Sequence, residues 1–237
     1  PPEAVATALD VSDFESLLPN PVRQFPFELD AFQKQAIARL ENHECVFVST
    51  HPSAGKTAVA EYAIAMAAQN VMRAVYTAPT RLMLHQKFGE FKASFGDDAV
   101  GLLTGDVCIR PEAPCVVMTI EVLRSLLYRG AGLVRDLEWA IFDEVHLQSQ
   151  PSNNDGEHWG GVWEEVMVLL PDHADFVCLS AIGPNTHELC DWIGRTKRKR
   201  VHTISTEKRP VPLQHYLYAA GGMHKVMDRA GKFLSSG

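Results

Sequence analysis

Two short runs carry residue types suited to phosphate chemistry. The first is Thr50-His51-Pro52-Ser53-Ala54-Gly55-Lys56-Thr57, which follows an apolar β-rich run and precedes a helical stretch. Small residues let backbone N–H groups converge on phosphate oxygens, and the start of a helix adds partial positive charge. Lys56 is then placed to reach the β and γ phosphates of a nucleoside triphosphate, and the Thr57 hydroxyl to ligate Mg²⁺. Thr50 stands where a Gly usually opens this pattern. A plain helix capped by Ser53 would use the same letters, but the strand–loop–helix setting favours a phosphate loop. The second run is Asp143-Glu144-Val145-His146, at the end of Trp139-Ala140-Ile141-Phe142. An acid at the tip of an apolar strand costs stability unless it has a task. Asp143 is placed to hold Mg²⁺, directly or through water, and Glu144 to orient and deprotonate an attacking water.

These runs need a frame, and the rest of the chain supplies its pattern. Apolar, β-rich runs occur at Cys45–Thr50, Ala74–Thr77, Val100–Leu103, Cys115–Thr119, Trp139–Phe142, Phe176–Ser180 and Val201–Ile204. Helical candidates lie between them at Ala31–Glu41, Lys56–Ala68, Arg81–Ser94, Glu121–Tyr128, Gly161–Leu169 and Thr186–Ile193. Strand and helix in alternation predict an α/β fold, a parallel sheet covered on both faces. Such sheets bind ligands at the carboxyl ends of their strands. Residues 1–26 hold five prolines and little periodicity, and read as a lead-in arm. Residues 218–237, with Gly221-Gly222 and a Ser235-Ser236-Gly237 end, read as a tether or the start of another element.

Composition narrows the function classes. The 237 residues are 46% hydrophobic with a net charge of −7, so nucleic acid would be held in a local groove rather than over the whole surface. No apolar stretch approaches the ~20 residues of a membrane span, and no signal peptide is visible at the start. Five cysteines without CxxC spacing suggest neither a disulfide framework nor a zinc site, and point to a reducing compartment.

The two motifs and their surroundings resemble the DExH-box helicases of superfamily two, closest to the superkiller-type RNA helicases. The resemblance rests on Phe27 to Ile37, Ser53 to Thr57 with Ala60 to Ala65, Gly101 to Val107, and Glu121 to Ser125 with Leu127-Tyr128. It continues through Asp143 to His146, Val162 to Glu165, Asp191 to Gly194 and Arg209 to Leu213, so it spans about Phe27 to Tyr218. It implies a three-layer RecA-like P-loop NTPase lobe with a mainly parallel sheet over residues 27–217, followed by a linker toward a second lobe. ATP and Mg²⁺ are the implied cofactors. Single-stranded RNA, the RNA exosome and a repeat-protein scaffold are the implied partners, in the cytoplasm and away from membranes, with 3′ to 5′ movement.

The resemblance also implies roles by position. Phe27 would stack on adenine and Gln33 would read its polar edge; a helix-surface Gln and a staple Phe are the plain alternative. Pro79-Thr80-Arg81, Thr104-Gly105 and Thr119 with Glu121 look like strand-gripping motifs, although each threonine also suits an N-cap. Ser180-Ala181-Ile182 matches a coupling motif in which Thr is usual, and His146 would bond at the junction of phosphate and RNA sites. Ile182, Trp159 before Gly160, Pro52 and the run Arg81 to Gln86 depart from the family's pattern, while Lys56, Thr57, Asp143 and Glu144 do not. ATP binding is therefore expected to survive, and coupling is what the departures touch. A degenerate ATP-binding scaffold and a DNA translocase lobe are the competing readings. Because no Gln-x-x-Gly-Arg-x-Gly-Arg run supplies transition-state arginines, slow turnover is expected from these residues alone. The basic run Arg195 to Arg200 reads as a nuclear import signal, an RNA-facing loop or a plain solvated loop.

Overall fold

The computed structural model describes residues 4–5, 9–148, 159–183, 185–206, 214–219, 221–227 and 232–233. Arg209 to Leu213 and the side chain of Trp159, both used in the sequence reading, lie outside the described residues. The chain divides into two units, Pro1–Thr206 and Glu207–Gly237.

The first unit runs β1 (Ala4–Val5), α1 (Phe14–Leu17), α2 (Ala31–Glu41), β2 (Cys45–Thr50), α3 (Thr57–Gln69), β3 (Arg73–Thr77), α4 (Arg81–Phe95), β4 (Val100–Leu103) and β5 (Cys108–Ile109). It continues with β6 (Cys115–Met118), α5 (Ile120–Arg129), α6 (Gly132–Arg135), β7 (Leu137–Phe142), α7 (Val145–Gln148), α8 (Trp159–Leu169), β8 (Asp175–Ser180), α9 (Thr186–Lys197) and β9 (Val201–Thr206). Among the described residues these strands form a nine-stranded sheet in the order β1-β9-β2-β8-β7-β3-β6-β4-β5. Every neighbouring pair is parallel except β4 with β5.

Strands β2, β7 and β8 are buried along their whole length, which is why they read as unbroken apolar runs. Their side chains alternate between two cores. Val46 and Val48 of β2 pack with Ile37 of α2, Val59 of α3 and Phe91 of α4. Cys45 and Phe47 pack on the other face with Leu123 of α5, Trp163 of α8 and Ile193 of α9. Helices on both faces of a parallel sheet make the expected three-layer α/β lobe. With the pairs parallel, the loops after β2, β3, β4, β6, β7 and β8 all open on one edge.

The lead-in segment folds onto this lobe. Ala4–Val5 pairs with Val201–His202, and Phe14, Leu18, Val22 and Phe25 pack against the core of α2, α3 and α4. The Val22 N–H donates to the Tyr62 hydroxyl at 3.1 Å, and Arg23 pairs with Glu61 at 3.0 Å. Two-residue strands have no periodicity to read, so this contribution was invisible in the sequence.

The second unit contains an antiparallel hairpin, β10 (His215–Ala219) with β11 (Gly222–Met227). This hairpin begins in the stretch read as lobe and runs into residues 218–237, the stretch read as a tether or the start of another element. Gly221 takes φ +82° at the turn, a left-handed value that glycine adopts without strain.

Candidate nucleotide site and nucleic-acid cleft

The phosphate loop leaves β2 at the buried Thr50 and enters α3 at Thr57. Ser53 does not cap this helix. The N-cap position is Lys56, and no side chain caps it. The Ala58 N–H donates to the Gly55 carbonyl at 3.2 Å and the Val59 N–H to the Lys56 carbonyl at 3.0 Å, so the amides open to a ligand are those of Lys56 and Thr57 at the junction of loop and helix. The loop reaches this shape through positive φ at Ser53 (63°) and Gly55 (91°). A Cβ at Gly55 would also meet Gln33 Nε2 at 2.7 Å, so residue 55 is held to glycine twice over.

Lys56 is 8% exposed, and among the described residues its ammonium has no hydrogen-bond or ion-pair partner. The side chain is mostly covered but its ammonium opens on a cleft, where a lone cation suits an anion. Opposite it stands the end of β7. Asp143 is buried; its Oδ2 accepts from the Tyr76 hydroxyl, and its Oδ1 accepts from the Glu144 N–H at 2.9 Å. Burial, together with the Asp143 charge, pushes the Tyr76 phenol well up, which keeps it a donor. Glu144 holds φ +51°, a strained value for a glutamate of the kind that clusters at functional sites.

One cleft of about 290 Å³ is lined by Ser53, Gly55, Lys56, Thr57, Asp143 and Glu144, with Met83, Gln86 and Lys87 of α4. The two predicted motifs are thus brought together. The α4 residues and Tyr76 were missed: Gln86 and Lys87 look like ordinary helix-surface polar residues, and Tyr76 like a core aromatic. The donor set fits a triphosphate with Mg²⁺: an ammonium open to the cleft, a helix start with no side-chain cap, a hydroxyl and a carboxylate.

Strand β8 lies between β2 and β7, so its end adjoins both motifs. The Ala181 carbonyl accepts from Ser49 Oγ at 3.3 Å, and the Ala181 N–H donates to His146 Nδ1 at 3.1 Å. Glu144 Oε2 is also 3.3 Å from His146 Nδ1. One ring nitrogen cannot both accept from the amide and donate to the carboxylate. The amide is a permanent donor, so Nδ1 accepts from it, and Glu144 Oε2 does not take a hydrogen bond from that nitrogen. Ile182 is 44% exposed just beyond.

Gln33 is buried and fully employed. Its Oε1 accepts from the Asp30 N–H at 2.8 Å, closing a capping box on α2, and its Nε2 donates to the Gly55 carbonyl at 2.9 Å. Gln33 is therefore not the helix-surface residue of the plain alternative, and its amide braces the phosphate loop. Phe27 is half exposed and lies 5.4 Å from the Phe25 ring.

A second cleft, of about 750 Å³, collects Pro79, Thr80, Arg81, Gly105, Thr119 and Glu121 along one wall. Thr80 caps α4, accepting from Met83 N–H at 3.3 Å, and Thr119 caps α5, accepting from Val122 N–H at 3.4 Å. Both threonines are N-caps, as the plain alternative had it, and the helices they cap start at this cleft. Thr104 is buried, donates to Asp106 at 2.9 Å and accepts from Val107 N–H at 3.1 Å. Arg81 pairs with Asp106 at 3.0 Å.

The basic run is partly structural. Lys197 is buried and donates to the Leu170 carbonyl, while Lys199 donates to the Ala174 carbonyl at 2.8 Å and pairs with Asp175 at 2.7 Å. Arg195, Arg198 and Arg200 remain exposed.

The model of the DEAD/DEAH box helicase family matches residues 30–189, which hold both clefts. The chain belongs to the DEAD/DEAH box helicase family. It is 51% identical over 226 residues to the antiviral helicase SKI2 of Saccharomyces cerevisiae, covering 95% of this chain and 17% of that protein. It is 52% identical to superkiller complex protein 2 of Homo sapiens, covering 96% and 18%. Identity to the human exosome RNA helicase MTR4 is 47%, covering 89% and 20%. The chain thus spans about a fifth or less of the length of these relatives. The DUF1998 helicase MrfA bound to DNA is a structural neighbour with TM-score 0.60 and 20% identity, covering 86% of this chain and 30% of that one. This supports the helicase-lobe fold.

Proposed function

We propose that this chain is the ATP-binding motor lobe of an RNA helicase in a cytoplasmic RNA-decay machine, working beside an exosome and a repeat-protein scaffold. The observation that carries the reading is Lys56: an ammonium without a hydrogen-bond or ion-pair partner among the described residues, at a helix start with no side-chain cap, sharing one cleft with Asp143 and Glu144. The Lys56 ammonium and the amides of Lys56 and Thr57 hold phosphate oxygens. Thr57 and Asp143 would hold Mg²⁺, whose chemistry there is to neutralise developing phosphate charge. Glu144 orients the attacking water and accepts its proton. Phe27 and Gln33 flank the purine, and the lobe that carries the site is the first unit, Pro1–Thr206.

Single-stranded RNA is assigned to the cleft of Pro79, Thr80, Arg81, Gly105, Thr119 and Glu121, with Thr104 buttressing it. Helix starts, hydroxyls and an arginine suit a phosphate backbone and carry no base code, so the grip is tolerant of sequence. Relatives near 50% identity are named as RNA helicases, which favours RNA over DNA. Ile182 favours a second reading, an ATP-binding scaffold that no longer unwinds, because it puts an apolar side chain at the coupling position.

Thermal melting with and without ATP–Mg²⁺ tests the first claim. Lys56→Ala should lose the ATP-induced rise in melting temperature while the nucleotide-free protein melts close to the parent, since among the described residues the ammonium has no hydrogen bond or ion pair to lose. An unchanged ATP response would end the motor interpretation. Strand separation by a chain carrying both motor lobes, with Ile182→Thr alongside, separates helicase from scaffold.

A further inference from the structure

Helix α4 contributes a cation to the nucleotide cleft that the phosphate-loop pattern does not predict. Lys87 Nζ donates to Thr57 Oγ1 at 2.9 Å and pairs with Glu90 Oε2 at 2.7 Å. Its side chain is 14% exposed and lines the same cleft as Lys56, Asp143 and Glu144. Gln86 completes the cluster by donating to Glu90 Oε1 at 2.7 Å. Glu90 is thus held from both oxygens. Partial burial pushes its carboxyl up, but the hydrogen bonds from Lys87 and Gln86 outweigh this and hold it below its usual value, so the pair stays charged.

Thr57 is the residue whose hydroxyl would ligate the metal, and its oxygen here faces an ammonium. Two cations on one small oxygen repel. We propose that Lys87 is a resident placeholder for Mg²⁺: it holds the Thr57 hydroxyl until metal–nucleotide arrives and must let go of it for the metal to bind. Glu90 is the berth that keeps Lys87 paired once it leaves Thr57. The device fills the cation position of a cleft lined by Asp143 and Glu144, and it makes metal entry a displacement rather than a simple addition. This rests on the nucleotide reading above and adds a positioning residue to it.

The test is a Mg²⁺ titration of the 237-residue chain at fixed N-methylanthraniloyl-ADP, read by fluorescence. Removing the competitor in Lys87→Met should lower the Mg²⁺ concentration for half-maximal binding by about fivefold or more, the usual size of a coupling between two ligands. Nucleotide affinity in excess EDTA should not change. Lys87→Arg, which keeps the charge, should keep a Mg²⁺ requirement close to that of the unaltered chain. An unchanged Mg²⁺ requirement in Lys87→Met overturns the placeholder role and leaves the nucleotide site intact. Weaker binding of Lys87→Met in EDTA overturns it in favour of a direct phosphate ligand. If the unaltered chain binds no nucleotide at all, the functional reading falls and takes this inference with it.

Discussion

The Tyr76 hydroxyl on β3 donates to Asp143 Oδ2 at the end of β7, so this carboxylate is set by a neighbouring strand as well as its own. Tyr76→Phe removes that donor. Unfolding in urea should show a loss of about 1.5–3 kcal/mol, the worth of a hydrogen bond to a charged group. Nucleotide binding should also need more Mg²⁺, because the carboxylate is no longer aimed. A variant as stable as the parent would show that the phenol is only packing.

Gly55 should tolerate no side chain. Gly55→Ala places a Cβ at positive φ and against Gln33 Nε2 at 2.7 Å. The strain of that φ alone is about 1–3 kcal/mol. Relief by turning Gln33 away would break the capping box of α2. Combining Gly55→Ala with Gln33→Ala should recover part of the lost stability, and full additivity in the double variant would refute the contact.

Arg81 is predicted to touch backbone phosphate. Arg81→Ala should weaken single-stranded RNA binding alike for every sequence and reduce the salt slope of log affinity by about one. Asp106 occupies Arg81 in the free protein. Asp106→Asn should therefore strengthen binding modestly. A sequence-dependent loss in Arg81→Ala would place this arginine on a base instead.

His202 gives the lobe a pH limb. It is buried on β9, and neither ring nitrogen has a hydrogen-bond partner among the described residues. Burial lowers its pKa from 6.5, with Arg39 and Arg200 adding to the effect and Glu44, 3.3 Å from Nε2, opposing it. A lowered folded pKa means the unfolded chain binds the proton more readily. The contribution is present above about 6.5 and is lost as pH falls below it. The drop in urea midpoint between pH 7.5 and 5.5, as round values either side of the histidine range, should be smaller in His202→Gln. Equal drops in both chains would remove His202 from the account.

Much of the frame was legible because buried parallel strands are apolar throughout. Cys45–Thr50, Val100–Leu103 and Ala31–Glu41 begin and end where their residue types predict. The phosphate loop and the Asp143–Glu144 tip were legible because both chemistries demand fixed residue types. Tyr76, Gln86 and Lys87 were not, since only the packing of β3 and α4 beside the loop gives them a task. Lys197 and Lys199 misled for the same reason in reverse: a run of cations looks solvated until the carbonyls of Leu170 and Ala174 are seen beneath it.

One residue sits where several duties meet. The Ala181 carbonyl is tied to Ser49, just before the phosphate loop, and its amide to His146, just after the carboxylate tip. These two groups belong to the peptide planes on either side of one Cα. A turn in the torsions of Ala181 would therefore be felt at once by the strand that enters the phosphate loop and by the segment that leaves the acidic tip.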